Sequence, residues 1–240
     1  MEASITSKVR YGDLLPHEFE ARLRARPVGY LPVGTLEWHG PHNPLGADFI
    51  QASAILERAA ERFGGIVLPP LWLGPDEIAT DDDGRPLVGM DNHVRPPQQL
   101  PGSLYWVSQG LFTLWMEAIL VQARRVGFRC LVVEGHGPSR DTCGRAAKRW
   151  EKQFGIRVVS ASDFPKDWAT QTDHAGRNET SILLAVRPEL VELGRLPQNL
   201  EERPLGVIGQ DPRQSTAAEG EESIERTLRL IGMKLDELGI

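Results

Sequence analysis

Val28-Gly-Tyr-Leu-Pro-Val33 opens the stretch that decides the fold. It is a continuous apolar run, and it reads as a buried strand. The polar segment Glu37 to Asp48 follows, and then Phe49 to Phe63, where Ile55, Leu56, Ala59, Ala60 and Phe63 recur at helical spacing. Gly64-Gly65 ends that helix. Ile66-Val67-Leu68 starts a second strand, which Pro69-Pro70 stops.

Outward from this unit, short apolar runs keep alternating with helical patterns. Leu111 to Val126 carries Leu111, Leu114, Trp115, Ala118 and Val121 on one face, and Gly127 closes it. Intramolecular packing is the expected use of that face, and a contact between copies of the chain is the alternative. Arg129 to Val133 is a third strand, Cys143 to Phe154 a helix, and Ile156 to Val159 a fourth strand. Asn178 to Ala185 starts as a helix, and Ser223 to Leu238 forms a terminal amphipathic one. Apolar strands joined by helices predict an α/β fold in three layers, α/β/α, with a mostly parallel central sheet. We expect one domain over residues 1–240. In such sheets ligands bind beyond the carboxyl ends of the strands. The polar clusters fall there: Glu37 to Asp48, Asp76-Glu77, and Glu134 to Asp141. Leu73 to Ser103 resists assignment and reads as a functional lid or a disordered loop. Within it, Asp81-Asp82-Asp83-Gly84 lacks the ligand spacing of a calcium loop and reads as a solvated turn.

Composition narrows the function. Net charge is −6 with no dense Lys/Arg block, which argues against nucleic acid as a partner. No apolar run of about 18 residues predicts a membrane span. The two cysteines, Cys130 and Cys143, are too few for a disulfide framework; Cys130 reads as buried in its apolar run, with Cys143 facing the same region. Met1-Glu2-Ala3-Ser4 opens no signal peptide, so a cytoplasmic location is expected.

Three clusters can carry chemistry. The first, Glu37-Trp-His39-Gly-Pro-His42-Asn-Pro-Leu-Gly-Ala-Asp48, sets two carboxylates and two imidazoles in an irregular loop. Carboxylate oxygen with imidazole nitrogen suits zinc, manganese or iron(II) at a catalytic site; unligated surface Glu/His pairs are the alternative. The second, Glu134-Gly-His136-Gly-Pro-Ser-Arg-Asp141, holds a histidine between glycines just past a strand, open to a ligand or to solvent. The third, Thr172 to Ser181, places His174 before a helix whose first turn carries Glu179. Helix capping explains Glu179 about as well as ligation. His17 reads as solvent-facing, and so does His93, for which contact with substrate is the alternative. No Gly-x-Ser-x-Gly elbow, Walker loop or dinucleotide fingerprint occurs, so metal-activated water is the chemistry left.

Leu31-Pro-Val-Gly-Thr-Leu-Glu-Trp-His-Gly-Pro-His-Asn-Pro-Leu-Gly-Ala-Asp48 closely resembles the N-terminal signature of the creatininase family. Leu100-Pro-Gly-Ser103, Gly127 to Gly137, His174-Ala-Gly-Arg-Asn-Glu-Thr-Ser181, Pro188-Glu-Leu-Val191 and Gly209 to Gly220 resemble further family segments in the same order. The resemblance implies a creatininase-like fold and two adjacent divalent ions (zinc, manganese or iron). Glu37 and His39 would ligate them, Asp48 would bridge them, and His136 would complete one. In creatininase a carboxylate two residues after the turn histidine completes the other. That position here is Pro138, which cannot ligate, and Glu179 is the substitute candidate. His174 would stand near substrate as acid or base, so His174 and Glu179 are the catalytic candidates. A second departure is Glu134, where the family has Asn.

The expected activity is hydrolysis of a non-peptide C–N bond, amide or cyclic amide, in a small polar molecule. The alternative is a non-catalytic small-molecule or partner-binding protein with a degraded metal site, which Pro138 motivates. By analogy to the family, a homo-oligomer is expected, a hexamer in its commonest form.

Overall fold

The computed structural model describes residues 6–160, Phe164 and 173–240. Met1 to Ser4 and Thr172, named above, lie outside them. In chain order the regular elements are α1 (Pro16–Ala25), β1 (Val28–Val33), α2 (Ala47–Phe63), β2 (Ile66–Val67), β3 (Ile78–Thr80), β4 (Pro86–Val88), α3 (Gln109–Val126), β5 (Cys130–Gly135), α4 (Gly137–Phe154), β6 (Arg157–Val159), α5 (Arg177–Val186) and α6 (Ala217–Glu237).

Four strands form a parallel sheet in the order β2-β1-β5-β6. The chain leaves β1 through α2 to reach β2 on one side, then returns through α3 to place β5 on the other. The β1–β5 boundary is therefore a switch point, where the connections diverge and leave a crevice beyond the strand ends. Strand alternation sorts the core into two layers. Val28 and Tyr30 of β1, with Cys130 and Val132 of β5, pack on Ile55 and Leu56 of α2 and on Ile224, Leu228 and Ile231 of α6. Leu31, Val33, Leu131 and Val133 face the other way, onto Phe112, Met116 and Leu120 of α3 and Trp150 of α4. Each such buried side chain contributes about 1.5–3 kcal/mol of transfer free energy, and both faces are used, as a parallel sheet requires. The fold is the three-layer α/β/α arrangement with a parallel central sheet.

The switch point is tight. Val33 is in register with Gly135. Gly135 has φ of 128°, and a β-carbon there would lie 1.8 Å from the Val33 carbonyl oxygen. Only glycine combines that dihedral with that approach.

Four expectations are corrected. Of the face carrying Leu111, Leu114, Trp115, Ala118 and Val121 on α3, only Trp115 packs against the core, while Leu111, Leu114 and Val121 are 54%, 64% and 45% exposed. The adjacent stripe Phe112, Met116, Leu120 and Ala123 is buried instead. Both stripes have helical period, so periodicity alone cannot choose between them. Helix α4 starts at Gly137 rather than Cys143, because Pro138 at its first turn is compatible with helix entry. Helix α6 starts at Ala217 rather than Ser223, and the Thr216 side chain caps it, accepting from Glu219 N. Finally, Asp48 is in the first turn of α2, not in the loop before it. Leu73 to Ser103 contains the antiparallel hairpin β3–β4 and a 3-10 turn at Gly89–Asn92. The Asp81–Gly84 acidic run is the hairpin tip, where Asp81 Oδ1 accepts from the backbone N of Asp83 and Arg85. Buried Asp91 pins the segment, accepting from Val88 N and Leu100 N.

Candidate metal centre

The loop after β1, the first turn of α2, the turn after β5 and the first turn of α5 meet at the switch point. They bring Glu37, His39, Asp48, His136 and Glu179 together, all at most 8% exposed. His136 Nδ1 lies 3.4 Å from Glu37 Oε1 and 3.3 Å from Asp48 Oδ2. His39 Nε2 lies 3.8 Å from Asp48 Oδ1 and 3.7 Å from Glu179 Oε1. Two triads capable of holding a metal result, Glu37–Asp48–His136 and His39–Asp48–Glu179, and they share Asp48. A third grouping, Glu37–His39–His174, overlaps them.

The histidines are aimed from behind. His39 Nδ1 faces the Glu37 carbonyl at 3.1 Å, so the proton sits on Nδ1 and Nε2 is left as a donor to a metal. His136 Nε2 faces the Pro75 carbonyl at 3.2 Å, with Asp76 Oδ2 at 3.6 Å, which leaves Nδ1 for ligation. Glu179 is fixed at both oxygens: Oε1 accepts from Gln51 Nε2 and Oε2 from Ala175 N, each at 2.6 Å.

These residues fit a cation. His39 Nε2 and Asp48 Oδ2 are buried without a hydrogen-bond partner, which is costly unless something else satisfies them. Three carboxylates crowd two imidazoles, so positive charge is demanded. Burial opposes charge on His39, yet Glu179, Asp48 and Glu37 overcome it and hold its pKa up to about 10. Burial would also raise Asp48, but the imidazoles of His39 and His136 keep it well below the ordinary carboxylate range. A bound divalent ion would meet the same demand for positive charge. Carboxylate and imidazole donors without thiolate suit zinc, manganese or iron.

A cavity of about 290 Å³ opens onto the cluster. His174 lines it, with its ring stacked on His39 at a 4.4 Å centroid distance. Its Nε2–H donates to the Trp38 carbonyl at 2.7 Å, and Nδ1 lies 3.9 Å from Glu37 Oε1. His93, read as solvent-facing, is exposed and lines the cavity as well. His136 is 2% exposed, so of its two readings the structure takes the enclosed one. His17 is exposed, as expected. Pro138 lines the cavity from the start of α4 and is not among the metal-capable residues. Glu134 forms a buried ion pair with Arg140 at 2.8 Å.

Sequence reading missed Gln51, Thr180 and the cap at Asp173. Gln51 could have been found: it lies three residues after Asp48, on the same helix face. Asp173 accepts from the N–H groups of Asn178 and Glu179, which stabilises the start of α5. Burial, with Glu179 nearby, pushes its carboxyl up to about 7. Thr180 shows only in three dimensions. Burial likewise takes His42 down to about 4, so its ring is neutral.

The fold and the centre together define an α/β metallohydrolase. The family model for creatinine amidohydrolase matches residues 13–232, and the chain belongs to the creatininase family and is a hydrolase. It is 30% identical over 237 residues to the creatinine amidohydrolase of Pseudomonas putida, covering 89% of this chain and 86% of that protein. It is 31% identical over 225 residues to a mycofactocin precursor peptide peptidase of Mycolicibacterium smegmatis, covering 81% and 78%. A crystal structure of creatinine amidohydrolase superposes with a TM-score of 0.74 at 26% identity, covering 97% of this chain and 98% of that one. Among the described residues no helix is long and apolar enough to cross a membrane.

Proposed function

We propose that this chain hydrolyses a non-peptide C–N bond, amide or cyclic amide, in a small polar molecule, using two divalent ions (zinc, manganese or iron). The observation that carries this is Asp48, whose two oxygens face two different imidazoles within 3.8 Å. Glu37, Asp48 and His136 would hold one ion, and His39, Asp48 and Glu179 the other. Bound there, divalent ions lower the pKa of water and polarise a carbonyl.

The chain's own groups supply the rest. Gln51 and Ala175 N orient Glu179. His174 keeps Nε2–H on the Trp38 carbonyl, so Nδ1 is the atom that carries a proton to the leaving nitrogen. Glu37, beside Nδ1, stabilises the ring while it is charged. The buried walls exclude bulk water and strengthen these interactions. A cavity of about 290 Å³ supports a small substrate over an extended peptide.

We propose further that residues 1–240 act as one creatininase-like domain in the cytoplasm, where buried Cys130 and Cys143 stay free thiols. The exposed stripe Leu111, Leu114, Ala118 and Val121 supports a homo-oligomer, and family analogy suggests a hexamer. The test is to incubate purified protein with manganese, zinc or iron(II) and assay amine release from a panel of linear and cyclic amides. Wild type should release amine, and Glu37→Gln and His136→Ala should lose at least about a hundredfold. Wild-type protein that takes up no metal overturns the proposal.

A further inference from the structure

Thr180 ties the two halves of the metal centre together. It follows Glu179 in α5 and is fully buried. Its Oγ1 stands 3.0 Å from His42 Nε2 and accepts from Asn43 Nδ2 at 2.9 Å. Its own hydroxyl proton goes to the Ala175 carbonyl at 3.4 Å. His42 and Asn43 belong to the loop that carries Glu37 and His39. The loop is further held by Glu192 N, which donates to the His42 carbonyl.

A threonine hydroxyl has one proton and two lone pairs, so Thr180 can serve His42, Asn43 and the Ala175 carbonyl together. His42 Nε2 and Thr180 Oγ1 share a hydrogen bond at 3.0 Å. The ring has no slack, because Gly40 has φ of 74° and a β-carbon there would lie 2.7 Å from the ring. His42 and Thr180 thus join the loop bearing His39 to the helix bearing Glu179. Glu37 and His136 are held by other contacts: Glu37 N donates to the Leu45 carbonyl, the neighbouring Leu36 carbonyl accepts from Leu104 N, and His136, directly after β5, donates its N–H to the Val33 carbonyl.

Resting on the metal-centre reading above, we infer that His42 is a positioning residue for one half of the centre. Through Thr180 it sets the spacing of His39 and Glu179, and hence the affinity of the His39–Asp48–Glu179 site. The Glu37–Asp48–His136 site does not depend on it. Removing the bond weakens one metal and spares the other, which general loosening of the fold would not do.

The probe is Mn²⁺ alone, added to metal-stripped full-length protein and followed by calorimetry and electron paramagnetic resonance. Wild type is expected to bind about two ions per chain with a spin-coupled signal. In His42→Ala and Thr180→Val the weaker affinity should fall about 10–100-fold while the stronger stays within about twofold, and the signal should become that of an isolated ion. Thr180→Ser keeps the hydroxyl and should restore both. If His42→Ala does not fold, the near-isosteric Thr180→Val against Thr180→Ser decides alone. Two unchanged affinities, or equal loss at both sites that Thr180→Ser does not repair, overturn the inference while the metal centre stands. Wild type without manganese overturns the metal centre itself.

Discussion

Asp48 Oδ2 stands 3.3 Å from His136 Nδ1, although one residue opens α2 and the other caps α4. The contact exists because β1 and β5 are neighbours in the sheet and both end at the switch point. It makes Asp48 the one carboxylate common to the two triads.

The bridging geometry separates Asp48 from its partners. Asp48→Asn keeps the shape but removes the charge, and it should weaken both metals by at least about tenfold each. Glu179→Gln should weaken one. Calorimetric titration with Mn²⁺ checks this; an Asp48→Asn protein with one undiminished site contradicts it.

Gly135→Ala should be severely destabilising. The new β-carbon meets the Val33 carbonyl at 1.8 Å, at a dihedral that alanine rarely adopts. We expect a loss of about 3 kcal/mol or more in urea denaturation. A loss under about 1 kcal/mol would mean that β1 and β5 are not so closely apposed.

How much of this was legible in the sequence varies by element. The parallel sheet was, because the apolar runs at Val28–Val33 and Cys130–Val133 are short, continuous and followed by polar turns. The nearness of Glu37, His39, Asp48 and His136 was foreshadowed by their places after β1 and β5, whereas Glu179, in the first turn of α5, was a candidate only through the family resemblance. What failed was the choice between parallel stripes on α3, where Leu111 and Phe112 are equally apolar and only tertiary packing distinguishes them. Thr180 and Asp76 were not legible as partners, because their contacts with His42 and His136 join distant segments. The hairpin within Leu73 to Ser103 was hidden by its very short strands.

The exposed stripe on α3 yields a solution prediction. Leu114→Asp, at a residue 64% exposed, should leave the fold intact but reduce the oligomer on size-exclusion chromatography with light scattering. A monomeric wild type, or an assembly that ignores the substitution, contradicts the stripe as an interface.

The Glu134–Arg140 pair is largely buried, with side chains 8% and 13% exposed. Removing Glu134 breaks this buried pair. Glu134→Ala should therefore cost about 3 kcal/mol, and the double variant with Arg140→Ala should recover part of it. A purely additive double-mutant cycle would show the pair to be uncoupled.

Burial pushes the Cys143 thiol up to about 12 from an ordinary value of 9.0, and it raises the Tyr30 phenol well above its usual 10.0. The unfolded chain therefore releases these protons first. Their contribution is fully present below pH 9 and is lost as pH rises toward and through 12, by about 1.4 kcal/mol per pH unit for each group. Denaturation followed from pH 8 to 12 should show falling stability, and native Cys143 should resist thiol reagents at pH 8. Rapid labelling of Cys143 in folded protein contradicts its burial.

The central claim is that the residues around Asp48 form a centre for two divalent ions. Elemental analysis of metal-reconstituted wild type beside Asp48→Asn tests it most directly. Wild type should carry about two ions per chain, and Asp48→Asn should lose most of them. Equal metal content in both proteins, or none in the wild type, would contradict it.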